Sequence, residues 1–150
     1  MSCLKIINTH PDLYLLRPTV ERITRSVGSS EQAIIKKITL IVSDDSALAK
    51  LKKQYFNENA YTDTISFNFN QPGEPIEGEI YLSIDRIREN AREYQNTFDK
   101  ELITVYIHSL LHLMGYRDDN PRSRKKMLAL QNFYVQQQDL TRLYRRHHNH

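Results

Sequence analysis

The sequence predicts an α/β fold of the α+β kind, a small mixed sheet of about four strands packed with about five helices. Three observations lead there. Short runs rich in β-branched residues lie between longer helix-patterned segments. No repeat, low-complexity block or Gly/Ser linker divides the chain, and its 150 residues suit one domain with a real core, read as residues 1–150. Apolar residues at 39% and charged residues at 26% are the balance of a water-exposed globular chain, not of a membrane or disordered one.

The elements follow in order. LKIINTH (Leu4 to His10) alternates well enough for a short strand. Asp12 then caps a helix running to about Val27 and ended by Gly28; Pro18 inside it demands a late start or a kink. KKITLIVS (Lys36 to Ser43) is a strand, and Asp44, Asp45 and Ser46 open a short helix through SALAKLKKQYF. TDTISFNF (Thr62 to Phe69) alternates polar and apolar residues as a one-faced strand, and NQPGEP is a loop. GEIYLSI (Gly78 to Ile84) is a further strand, paired with the preceding one. Asp85 begins the helix DRIRENAREYQ. Asp99 caps ELITVYIHSLLHLM, a helix stopped by Gly115 at its C′ position. From Pro121 a last helix carries Met127, Leu128, Leu130, Phe133, Tyr134 and Val135. Tyr94, Tyr106, Tyr116 and Phe133 are read as packing residues, and 146–150 as a disordered tail.

Several classes fall away. No run of about 18 apolar residues appears, so no membrane span is expected. The opening MSCLKIINTHPDLYLL makes a poor secretion signal. Cys3 is the one cysteine, which excludes an internal disulfide and a multi-thiolate zinc site and suits the cytoplasm. The net charge of +3 is unevenly spread: from Arg117 onward eight Lys/Arg face three Asp/Glu, whereas the first 116 residues hold 13 against 15. A basic segment placed there suits a polyanion such as nucleic acid, or simply a solvated helix face.

The informative stretch is HSLLHLMGYRDD, His108 to Asp119. On a helix His108 and His112 stand one turn apart on one face, so both rings can converge on one ion. The ordinary alternative is a carbonyl cap plus a satisfied core histidine. Two imidazoles bind weakly, so a third ligand is wanted. Gly115 lets the chain turn back over the helix end. Asp118 is then the favoured third ligand and Asp119 its competitor on spacing. His10, the other histidine before the tail, sits in the first loop. The terminal HHNH (His147 to His150) is set aside as a frayed end that would scavenge metal in an assay.

HSLLHLMGYRDD resembles the HGxLHLxGYDH pattern of the YbeY-type endoribonuclease and ribosomal RNA maturation family. TDTISF resembles that family's TDVLSF, Gly78-Glu79-Ile80 its GDI, and KKMLALQ lies where its closing helix stands. The likeness spans most of the chain from about Ile38, and the motifs are specific together. It implies a metal hydrolase whose first two ligands are His108 and His112, with Asp118 in place of a third histidine. Ser109 replaces a glycine, Arg117 an aspartate, and Phe56 an arginine with an implied role in RNA contact or catalysis. The implied activity is a single-strand-specific, metal-dependent endoribonuclease in late 16S ribosomal RNA 3′-end processing and ribosome quality control. The implied partners are single-stranded RNA and the small ribosomal subunit, with no DNA and no membrane.

The carboxylate leaves a divalent site at net +1 instead of +2, so bound water is less acidified than in a three-histidine site. Zinc is the expected cofactor, with nickel, iron and manganese open; two His and a carboxylate also serve iron. A glutamate beside the first histidine, as in HExxH proteases, is missing, since Ser109 stands there. Arg117, then Arg122, Arg124, Lys125 and Lys126, are the candidate phosphate contacts. The resemblance sets Asp63 and Glu79 beside the site, while their own context favours capping and sheet-edge solvation. A small metallopeptidase or amide hydrolase, and an RNA- or ribosome-binding module with a structural metal, are the competing functions.

Overall fold

Strands rich in Ile, Val and Leu lie in parallel at the centre of the fold, and the polar faces of their neighbours open towards one side. The computed structural model describes residues 3–147. In chain order the elements are β1 (Leu4–Asn8), β2 (Leu13–Leu15), α1 (Arg17–Ser30), β3 (Ile35–Ser43), α2 (Asp45–Phe56) and β4 (Thr64–Asn68). They continue with β5 (Ile76–Ser83), α3 (Ile84–Glu93), α4 (Phe98–Leu113), α5 (Pro121–Gln136) and β6 (Tyr144–Arg146). The main sheet has the order β1-β3-β5-β4, with β1, β3 and β5 parallel; β4 and β5 pair as the sequence predicts, and they run antiparallel. Five helices on a four-stranded mixed sheet make this the α/β fold the pattern predicts.

Strand side chains alternate between faces. Ile38, Leu40, Val42, Ile80 and Leu82 turn to one face and are fully buried in the same core as Ile23, Val27, Leu110 and Leu111. The register pairs Thr64 with Leu82, Ser66 with Ile80 and Asn68 with Gly78, so the polar residues of β4 share that inner face. Phe67, Glu79 and Tyr81 fall on the opposite face, where Phe67 meets the rings of Tyr55 and Phe56 from α2.

α4 is apolar on nearly every side: Leu102, Ile103, Val105, Tyr106, Ile107, Leu110, Leu111 and Leu113 are all buried. Such a helix belongs in an interior, and it packs on α3, α5, β4 and β5. Its end approaches the sheet closely at Gly78. A Cβ there would lie 2.5 Å from the Phe67 carbonyl oxygen and 2.9 Å from Leu113 Cδ2, so only glycine fits.

The first helix departs from the sequence reading. Asp12 does not cap it; Leu13 and Leu15, nearly fully buried, alternate as strand β2 instead. The helix starts late at Arg17 with Pro18 in its first turn, where proline needs no N–H partner. It runs through Gly28, and the left-handed residue that follows is Gln32. Arg146, read as tail, pairs with Leu13 in the β2–β6 ribbon, and His147 donates its N–H to the Asp12 carbonyl. Residues 148–150 of the predicted tail lie outside the described residues.

Two caps also differ. Ser83 and Thr97, not Asp85 and Asp99, accept the first-turn N–H groups of α3 and α4. Asp85 is engaged by the Asp45 N–H and by the His10 ring. Tyr106 packs as expected, but Tyr94, Leu128 and Phe133 are exposed.

Candidate metal centre

With most of α4 consumed by the core, one stripe of it remains. Glu101, Thr104, Val105, His108 and His112 recur at three- and four-residue steps and face a cavity of about 770 Å³. The opposite wall is β4 and the residues before it (Thr62, Asp63, Thr64, Ile65, Ser66, Asn68), while Lys52 and Phe56 of α2, Leu113, Asp118 and Gln131 complete the lining.

α4 ends in a Schellman turn: the Gly115 N–H reaches the His112 carbonyl and the Tyr116 N–H the Leu111 carbonyl, with Gly115 at φ 101°. That left-handed residue folds the chain back over the helix. It brings the Tyr116 carbonyl to 3.1 Å from His112 Nδ1 and Asp118 to the imidazoles. Asp119 points away, accepting from Arg117 Nη2 at 2.7 Å; that bond holds its carboxyl below the usual range.

The two Nε2 atoms are 3.0 Å apart, and Asp118 Oδ2 lies 3.4 Å from each. Both rings are about one-third exposed, open to the cavity and closed behind. Their rear nitrogens are occupied. His112 Nδ1 faces a carbonyl, which only accepts, so it carries the proton; His108 Nδ1 faces Gln131 Oε1 at 2.8 Å. Both Nε2 lone pairs and a carboxylate oxygen thus converge with no donor among them. These three groups could hold a metal ion. Tetrahedral zinc with bonds near 2.0–2.1 Å needs its ligands about 3.3 Å apart, close to the spacing present.

Neighbouring groups fix this geometry. The buried Ser109 hydroxyl bonds the Val105 carbonyl and the Thr64 hydroxyl, tying α4 to β4. Asn68 Nδ2 donates to the Leu113 carbonyl at 3.1 Å. The hydroxyls of Tyr116 and Tyr134 both donate to Glu31, at the end of α1; this carboxylate helps push the Tyr116 phenol up to about 12. Burial raises the Asp63 carboxyl above its usual range.

The other predicted residues divide. Asp63 lines the cavity instead of capping or facing solvent; the register of β4 and β5 sends Glu79 to the far face, where Tyr81 donates to it. Arg117, Arg122, Arg124 and Lys125 are exposed around the start of α5, and among the described residues none of them lines the cavity. Their clustering is sequential: Arg117 bonds Asp119, and Arg122, Arg124 and Lys125 lie on the exposed first turns of α5. Lys52, Glu101 and Gln131 were missed, because each joins the site from an element whose docking no local pattern encodes. Gln131 lies inside helix α5 and is buried there, which its sequence neighbours do not reveal.

Comparison with known proteins adds an independent line. The sequence model described as Endoribonuclease YbeY matches residues 8–139. A curated Endoribonuclease YbeY of Chlorobaculum parvum is 35% identical over 135 residues, covering 88% of this chain and 92% of that protein. One of Chloroherpeton thalassium is 37% identical over 109 residues, covering 73% and 77%. Among solved structures, the solution structure of TM1509 from Thermotoga maritima superposes with a TM-score of 0.64 at 27% identity, covering 89% of this chain and 87% of that one.

Proposed function

The chain belongs to the Endoribonuclease YbeY family, and from that premise we propose that it is a metal-dependent endoribonuclease acting on single-stranded RNA. Its substrate in this reading is ribosomal RNA of the small subunit, matured at the 3′ end in the cytoplasm, and residues 1–150 work as one hydrolase domain. The observation that carries the metal is the convergence of two imidazole Nε2 atoms and the Asp118 carboxylate, 3.0–3.4 Å apart, with both Nδ1 atoms engaged behind.

His108, His112 and Asp118 are the ligands, and zinc suits their number and spacing. A divalent ion bound there supplies Lewis-acid polarisation at the scissile phosphate. Gln131 and the Tyr116 carbonyl hold the two rings with Nε2 forward. On the polar wall of β4, the Ser66 hydroxyl faces the cavity and suits sugar and phosphate oxygens. Arg117, Arg122, Arg124 and Lys125, exposed outside the cavity, suit the flanking phosphates of a longer strand. A peptidase of the HExxH kind needs a carboxylate beside the first histidine; Ser109 stands there, buried and with its hydroxyl committed.

The test is metal analysis of a chain lacking residues 148–150, beside cleavage of a single-stranded RNA with and without chelator. About one equivalent of transition metal and chelator-sensitive cleavage are expected. His108→Ala and His112→Ala lose both; Asp118→His keeps the metal and Asp118→Ala weakens it. Metal-free protein of full stability, with cleavage indifferent to chelator, overturns the reading. Cleavage of peptides that persists at high salt, without RNA cleavage, moves it to the amide hydrolases.

A further inference from the structure

A cavity that takes a phosphodiester beside a carboxylate-bearing metal site needs positive charge of its own. Among the described residues lining it, Lys52 is the one lysine or arginine. Lys52 lies on α2 one turn before Phe56. Its Nζ stands 5.1 Å from the centroid of the Phe56 ring and 3.3 Å from Glu58 Oε2. The side chain is 24% exposed and that of Glu58 58% exposed, so the ammonium is partly desolvated while its partner carboxylate sits in water.

We propose that Lys52 is the phosphate-contacting cation of the cavity, a substrate-binding residue that the ring of Phe56 holds in place. The proposal rests on the ribonuclease reading above. A lysine over an aromatic face keeps its charge and loses conformational freedom, both useful for meeting an anion. Glu58 is a weak, water-screened competitor that a phosphate displaces. Phe56 belongs to a run of rings with Phe67 and Tyr55, which anchors it against the sheet and fixes where the ammonium points.

The experiment uses the full metal-loaded chain and a fluorescently labelled single-stranded RNA oligonucleotide. Binding is followed by anisotropy across a salt series, with kcat/KM for cleavage and Tm measured alongside. Lys52→Met is expected to lower affinity and kcat/KM about tenfold, the scale of one charge-assisted hydrogen bond. It should also flatten the log K against log salt slope by about 0.7, the value of one phosphate contact on a single strand. Lys52→Arg restores both. Glu58→Gln removes the competing carboxylate and is expected to tighten binding, the opposite sign to Lys52→Met. If Lys52 served only as a structural partner of Glu58, the two variants would shift Tm alike and leave the salt slope unchanged; that outcome overturns the proposal while cleavage by the parent chain persists. A parent chain with no chelator-sensitive RNA cleavage overturns the ribonuclease reading itself, and this proposal with it.

Discussion

Two imidazoles inside a leucine-rich helix are costly as core residues, because each buried ring nitrogen needs a partner. Here the rear nitrogens find Gln131 and the Tyr116 carbonyl, and the forward ones face each other and Asp118. The spacing of His108 and His112 was enough to place them on one face. It was not enough to choose between Asp118 and Asp119, which only the path of the chain after Gly115 separates. Gln131 gives the sharpest residue-scale prediction. Gln131→Leu removes the acceptor behind His108, frees the ring to rotate or change tautomer, and lowers metal affinity about 10- to 100-fold. Competition against a chromogenic chelator reads this directly; an unchanged affinity removes Gln131 from the site.

At the scale of elements, α4 and its C-terminal turn form the working part. Fully buried on its other sides, α4 cannot rotate to move the histidines off the cavity. Its seat depends on Gly78, where β5 lacks a side chain and Leu113 takes the space. Gly78→Ala drives a methyl group against the Phe67 carbonyl and Leu113, an overpacking cost of about 1–3 kcal/mol in a denaturant titration. It also displaces the end of α4, so metal affinity falls with stability. Wild-type stability in this variant contradicts the close approach. Helices and strands with a clear apolar period were legible, as β3, β5, α4 and α5 show. The Leu13–Leu15 strand was hidden because its partner, Tyr144–Arg146, lies at the other end of the chain.

For the whole molecule, the candidate metal site couples distant segments. Asp118 leads into α5, Gln131 returns from that helix, and Tyr116 and Tyr134 both bond Glu31 at the end of α1. If α4 and the following loop bind a cation as proposed, it would stabilise the native state by mass action. At free metal near 100 times Kd the gain is about 2.7 kcal/mol, roughly 5–10 °C in Tm for a chain of this size. Calorimetry on the chain lacking residues 148–150, chelated and reloaded, measures it. His112→Ala should keep the chelated Tm and lose the increment. An equal increment in that variant would place the cation elsewhere.

The amino-acid sequence by itself determined the α/β class, the pairing of β5 with the strand before it, and a helix that carries two histidines one turn apart on one face. These follow from periodicity and from the left-handed freedom of Gly115, both local properties of the chain. The fold turns the favoured Asp118 inward and its competitor Asp119 outward, and tertiary structure alone decided that Asp63 enters the cavity while Glu79 faces away and that Lys52 lines the cavity while the basic run from Arg117 stays outside it. Those outcomes depend on strand register and helix docking, where one residue of slip or a fraction of a turn exchanges one side chain for another without altering any local pattern.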